Sequence, residues 1–306
     1  MPKYAYVTYV MNGDFYVIGA ITLAKSIKKS RYNSKEIDLV CIVTHDVTEL
    51  DELNKHYDHV IVVEYIQHES YIQERLKLLY NWIDKSYTKW NCLNLIQYEK
   101  ILYLDSDCIM MKNMDHLFTC QPPMAVFEDL YSRDLIKLKS YQRKLGMRKR
   151  MIYRNSQIDV FKGQIDQVDI QGGLCGNHRV CLLSSGTVLL SPSTEHFKKL
   201  KSILYETPIY GHEGCNSGSE EQLIAELYLT LGIHWTALPL EYGLISREAF
   251  VNILGIDNIY VLHYFGKEKP WNMKDYYDDI KYWWSIHLDT NDVKVIKREF
   301  LERQID

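Results

Sequence analysis

Four short apolar runs punctuate the first third of the chain: Ala5 to Val10, Ile37 to Val43, Val60 to Val63 and Ile101 to Leu104. Each has the length of a strand and lacks apolar/polar alternation, which predicts strands buried on both faces. Helical patterns lie between them. One runs from Gly19 through Lys29 with Ile21, Ala24 and Ile27 on one stripe, and another spans Thr88 to Tyr98. Strand and helix in alternation predict an α/β fold, a mostly parallel Rossmann-like sheet with helices on both faces. Ligands bind such sheets beyond the carboxyl ends of the strands.

The second half is less regular. Residues 123 to 129 and 187 to 192 predict strands, Thr194 to Tyr205 and Ser219 to Leu231 helices, and 259 to 266 a further strand. From Asp275 onward the pattern is helical, with Trp283 and Trp284 at packed positions. Residues 137 to 154 carry eight Lys or Arg and no acid. Such a run is ordinarily a solvated, self-repelling loop, the alternative being a flap over an anionic ligand. No internal repeat and no Pro/Ser-rich linker divides the chain. The expected organisation is one domain over residues 1–272, interrupted by a basic insertion at about 137–180, with a helical extension over 273–306 packed on it.

Composition changes this picture little. The 306 residues suffice for a full core, and a net charge of −4 gives no overall field that would favour nucleic acid. No apolar run reaches the length of a membrane span, and the first residues read as a strand rather than a signal peptide. The seven Cys are odd in number and scattered, which points to reduced thiols and a cytoplasmic setting. Cys175 and Cys181, with His178 and His212 or Cys215, match no common zinc spacing, so free thiols are the better reading.

The chemistry concentrates at "KILYLDSDCIM", residues 100 to 110. Strand side chains alternate, so Asp105 and Asp107 project to one side and Ser106 to the other. Two carboxylates so placed repel unless a cation sits between them, and a hard divalent ion with oxygen ligands is the natural occupant. An isolated Asp-x-Asp would sooner be an acidic turn ending a strand. It is not isolated, because the predicted strand at 259 to 266 runs into "LHYFGKEKPW". There His263 offers an imidazole, Gly266 a close backbone approach, and Lys267 and Lys269 point charges for phosphate. A mixed oxygen and imidazole shell suits manganese better than magnesium.

Five blocks in order, "YVTYVMNGDFYVIGAITLAKSIK", "TKWNCLNLIQYEKILYLDSD", "LLSSGTVLLSPS", "SEEQLIAELY" and "LHYFGKEKPW", resemble glycosyltransferase family 8, the glycogenin and galactinol synthase group. The resemblance implies a GT-A fold and a retaining hexosyltransferase using a UDP-sugar held by manganese, with magnesium as the alternative ion. It implies that Asp105, Asp107 and His263 ligate the metal. Thr8, Asn12 and Tyr16 would line the uridine pocket, and Lys89, Gly266 and Lys269 would meet the diphosphate or sugar, with Ser106 inside the Asp-x-Asp motif. Ser184, Ser185, Glu221 and Gln222 would surround the sugar, with Glu221, Gln222 and Lys269 nearest the reaction. Ser184 stands where the family usually has Asn, and Glu221 where it has Asp, so the donor sugar is left among glucose, galactose and N-acetylglucosamine. The acceptor is a glycan, a polyol or a protein, and a homodimer is compatible with the sequence.

Two other classes compete. Nucleotidyl transfer needs a Gly-rich loop after the first strand, and "VMNGDFYVIGA" has only two separated glycines. A UDP-sugar-binding protein without efficient turnover would tolerate the changes at Ser184 and Glu221. A glycogenin-like self-glucosylating primer is disfavoured, because Gly243 to Ile259 contains no Tyr and Phe250 has no oxygen to attack with.

Overall fold

The computed structural model describes residues 2–68, 82–127, 164–165, 183–206, 220–246, 255–273 and 279–302. The basic segment, the Cys175–Cys181 stretch, His212, Cys215 and Phe250 lie outside the described residues. The chain forms two compact units. One comprises Met1–Glu64, Gln97–Cys120 and Glu241–Asp306, the other Tyr65–Ile96 and Gln121–Leu240.

In the first unit the chain runs β1 (Tyr4–Val10), α1 (Val17–Lys29), β2 (Ile37–Thr44), α2 (Leu50–Asn54), β3 (His59–Val63), β4 (Lys100–Leu104) and β5 (Cys108–Met110). The strands order β3-β2-β1-β4 and pair in parallel throughout. β1, β2 and β4 are buried nearly end to end, as an apolar run on both faces requires. β3 differs from the expectation of burial on both faces: Val62 is 53% exposed, and among the described residues β3 is the edge strand of its sheet.

The second unit carries β6 (Met124–Phe127), β7 (Gln164–Ile165), β8 (Leu183–Leu190), α3 (Thr194–Glu206), α4 (Glu220–Thr230) and β9 (Trp235–Leu238). β6 pairs β8 antiparallel and β9 in parallel, and β7 pairs β9 antiparallel. β8 starts at Leu183, earlier than the apolar run at 187 suggested, so Ser184 and Ser185 are strand residues.

The predicted helix over Thr88–Tyr98 is instead a 3-10 segment over Ile83–Asn94. Side chains claim its backbone groups. Ser86 Oγ donates to Ile83 O (2.7 Å), and Asn91 Nδ2 donates to Thr88 O (2.9 Å). Thr88 Oγ1 accepts from Ile66 N at 2.9 Å. Such local bonds compete with the α-helical ladder.

Returning to the first unit, a second sheet forms from β10 (Leu244–Ile245), β11 (Val261–His263) and β5, in the order β10-β11-β5. α5 (Ile280–His287) and α6 (Val293–Glu302) follow. Trp283 and Trp284 are fully buried, as the pattern predicted. α5 docks on α1 through Thr22 Oγ1 and His287 Nδ1 (2.9 Å) and through Lys25 Nζ donating to His287 O (2.7 Å).

One buried hydroxyl ties α1 to β5. Ser26 Oγ donates to Leu23 O (2.6 Å) and accepts from Met110 N (2.9 Å). Ser26→Ala strands that buried amide, which should lower stability by about 1–3 kcal/mol in urea unfolding. A variant as stable as the parent would show that this link carries no weight.

Candidate active site

β4 stops where its two carboxylates begin. Cys108 N donates to Asp105 O (2.9 Å), closing a turn over Asp105, Ser106 and Asp107 that reverses the chain into β5. β5 then pairs antiparallel with β11, in a register that sets His263 opposite Cys108. Tyr264 N donates to Asp107 O (2.9 Å) and leaves the ladder, which ends β11 at His263, short of the predicted 266. Two segments more than 150 residues apart in sequence are thereby pinned together by backbone bonds.

That register brings four predicted residues together. His263 Nε2 lies 3.2 Å from Asp107 Oδ1 and 3.8 Å from Asp105 Oδ2. Lys269 Nζ donates to the other Asp107 oxygen at 2.5 Å and to Tyr264 O at 3.1 Å. Tyr103 OH donates to Asp105 Oδ1 (2.8 Å), orienting the outer carboxylate. Asp107, His263 and Lys269 are all buried. Burial pushes the Asp107 carboxyl up, but the Lys269 ammonium and the His263 imidazole outweigh it and hold it well below the usual carboxylate range. Burial pushes His263 down, and the Asp107 and Asp105 carboxylates reverse that and raise it. Lys269 follows the same logic, burial opposing and Asp107 prevailing.

The residues fit a hard divalent cation. Carboxylate oxygens and an imidazole nitrogen converge, and ligand atoms of Asp107, His263 and Cys108 lie within 4.8 Å of one another. Cys108 was not singled out from the sequence. Its place opposite His263 follows from the β5–β11 register, which no local pattern reveals.

Neighbouring elements shape the turn. Gly19 on α1 sits so close to it that a Cβ would stand 2.4 Å from Ser106 O and 2.7 Å from the Trp271 ring. Asn12 (φ 57°) and Gly13 (φ 75°) take left-handed conformations that end β1 and lead into the Asp14–Tyr16 turn. Tyr16 packs edge-on against Trp271, 5.7 Å between ring centroids, and lies under Lys269 Nζ, 5.7 Å from its own centroid. Thr8 is buried in β1, and its Oγ1 has no hydrogen-bond partner among the described residues. Gly266 has φ 112°, a conformation that favours glycine.

The second unit holds its own polar cluster. Lys89 Nζ donates to Ser185 Oγ (2.9 Å) and pairs with Glu220 Oε1 (3.3 Å), while Ser185 Oγ donates to Glu221 Oε1 (3.3 Å). Trp90 Nε1 donates to Glu220 O (2.9 Å), fixing the first turn of α4. Lys89, Ser185 and Glu221 were anticipated from the sequence, whereas Glu220 was not. Ser184 is buried beside Val126 in the β6–β8 register. Gln222 lies in the first turn of α4.

Among solved structures, the galactosyltransferase LgtC, in complex with donor and acceptor sugar analogs, matches with a TM-score of 0.53 at 14% identity, over 96% of this chain and 99% of that one. The fold is therefore GT-A, an α/β fold with a mostly parallel sheet flanked by helices. The family model for Glycosyl transferase family 8 matches residues 7–159, half of the chain. The chain belongs to glycosyltransferase family 8. "Uncharacterized protein R707" of Acanthamoeba polyphaga mimivirus is 28% identical over 100% of this chain and 99% of its own length. "Putative UDP-glucuronate:xylan alpha-glucuronosyltransferase 3" of Arabidopsis thaliana is 22% identical over 93% of this chain, which spans only 40% of that protein's length.

The contact at Gly19 yields a prediction. Gly19→Ala must displace the Ser106 carbonyl or the Trp271 ring, so transfer activity should fall about tenfold or more as the turn shifts. Activity equal to the parent's would show that the turn has slack.

Proposed function

We propose that the chain is a metal-dependent, retaining glycosyltransferase that moves a hexose from a UDP-sugar to a hydroxyl of a separate acceptor. The observation that carries this is the convergence of Asp105, Asp107, His263 and Lys269 at the end of β4. Family membership supports the reaction class and its retaining stereochemistry.

Asp105, Asp107 and His263 would hold the cation. A divalent ion bound there, manganese or magnesium, supplies positive charge toward the leaving diphosphate. Lys269 would bring a second positive charge as the anomeric bond breaks, an interaction that strengthens in the transition state. Gly266 gives phosphate oxygens a close backbone approach. Thr8, whose buried hydroxyl has no partner among the described residues, is assigned with Asn12 and Tyr16 to the uridine. Lys89, Ser184, Ser185, Glu221 and Gln222 are assigned to the transferred sugar. The donor is drawn from UDP-glucose, UDP-galactose and UDP-N-acetylglucosamine, and the acceptor is a glycan, a polyol or a protein. Cys41, Cys92 and Cys108 are buried and not disulfide-bonded among the described residues, which is compatible with a cytoplasmic setting. No helix among the described residues is long and apolar enough to cross a membrane.

The self-glucosylating alternative finds little support. Tyr242 is buried, and its hydroxyl lies 2.8 Å from His116 Nε2. Its ring stacks on Tyr260 at 4.2 Å. Tyr242 is the buried member of that pair; Tyr260, within the strand predicted over 259 to 266, is half-buried and precedes β11.

Two outcomes follow. Asp107→Ala should reduce manganese-dependent UDP-sugar turnover at least about 100-fold, read as UDP release; undiminished turnover would refute the metal assignment. Incubated with manganese and each UDP-sugar, the purified protein should keep its intact mass. A ladder of added hexoses mapped to Tyr242 or Tyr260 would establish self-glycosylation instead.

A further inference from the structure

A groove of about 520 Å³ runs along the outer face of α3, wholly within the second unit. The sequence of the helix dictates it. Leu200, Ile203 and Leu204 turn to the core, which leaves two neighbouring stripes outside, Thr194, Lys198 and Ser202 on one and Phe197, Lys201 and Tyr205 on the other. Asn94, at the end of the 3-10 segment, also lines the groove. Phe197 is half-buried and Tyr205 is 50% exposed. Eight residues separate the two rings, about 12 Å along the helix axis. Between them Lys201 sets its ammonium 5.6 Å from the Phe197 ring centroid. Tyr205 is held by an edge contact with His68 (5.7 Å between centroids) and by its OH, which donates to Gln67 O (3.4 Å). Lys198 and Lys201 are the cations of the lining. Against them stands one carboxylate among the described residues, Glu206, whose Oε2 already accepts from Ser202 Oγ at 2.6 Å. Glu195 and Lys199, outside the lining, stand one turn apart and offset each other. The groove is thus net positive on a chain whose net charge is −4.

We propose that this groove binds an acidic oligosaccharide, one that carries carboxylates on its sugar rings. A concave site of this size, apolar at its rings and polar at a few points, is the ordinary form of a small-ligand site. The apolar C–H face of a sugar packs on an aromatic ring, and its hydroxyls bond to amide and hydroxyl groups such as those of Asn94 and Thr194. The ring carboxylates meet Lys198 and Lys201, which gives the ligand its sign. Two rings about 12 Å apart suit an extended chain of sugars better than one small anion. An acidic peptide would use the two lysines but has no sugar faces to lay on the rings. The groove belongs to the second unit alone, so binding there does not depend on the donor. Only the further step, that the bound glycan is the acceptor, rests on the transferase reading.

The test is calorimetry on the intact protein at low salt with three probes: a galacturonate trimer, the same trimer methyl-esterified, and a glutamate hexapeptide. The parent should bind the acidic trimer with a Kd of about 1 mM or tighter, and the neutral ester about tenfold more weakly. The double variant Lys198→Gln, Lys201→Gln should lose about tenfold for the acidic trimer and little for the ester. Phe197→Ala should lose about fivefold for both trimers, because the ring serves the sugar face rather than the charge. All three positions face outward, and an unchanged melting temperature checks that each variant is folded. No binding of the acidic trimer by the parent, equal binding of acid and ester, or unchanged affinity in the double variant would overturn the proposal. So would a glutamate hexapeptide that binds as tightly as the acidic trimer, since the groove would then read charge alone. No measurement here uses a sugar donor. Failure of the groove would leave UDP-sugar transfer standing, and failure of UDP-sugar turnover would leave the groove standing.

Discussion

The structure depends on the antiparallel pairing of β5 with β11. A buried strand that ends on two carboxylates is unstable by itself, because each carboxylate loses hydration and repels the other. The β5–β11 register answers that instability with positive partners. It places His263 opposite Cys108 and lets Tyr264 N bond Asp107 O, after which the chain loops so that Lys269 returns to Asp107. Asp107, His263 and Lys269 are buried, and for each the neighbouring charges favour the charged form more strongly than burial opposes it. Under the proposed reading, a cation and phosphate oxygens would be held here.

The surrounding packing preserves this register. α1 touches the site's turn at Gly19 and anchors β5 through Ser26. α5 grips α1 through Thr22, Lys25 and His287, and Trp284 Nε1 donates to Pro270 O (3.1 Å) just beyond Lys269. The C-terminal helices thus brace the loop that carries Lys269. Tyr264 OH donates to Asp279 O (2.9 Å), a second tie between that loop and the start of α5.

Much of this was legible in the sequence, for identifiable reasons. The buried parallel strands announce themselves as uninterrupted apolar runs, and the Asp-x-Asp turn and the His263 block carry their chemistry locally. What escaped detection depended on long-range register. Cys108 gains meaning only opposite His263, and Glu220 only across from Lys89, 131 residues earlier. Gly19 reads as a weak helix residue until Ser106 is seen against it. The 3-10 segment at Ile83–Asn94 was mistaken for an α-helix because its apolar spacing is helical, whereas hydroxyl and amide side chains decide its backbone bonds.

The central claim is that residues from the ends of β4 and β11 form one cation site on which a nucleoside diphosphate depends. A manganese titration followed by electron paramagnetic resonance, with UDP present and no sugar donor, tests it without reference to turnover. The parent should bind one manganese per chain, and His263→Ala should weaken that binding by about tenfold or more. If His263→Ala bound manganese as the parent does, the two strand ends would not share a site, and the account would fail at its root.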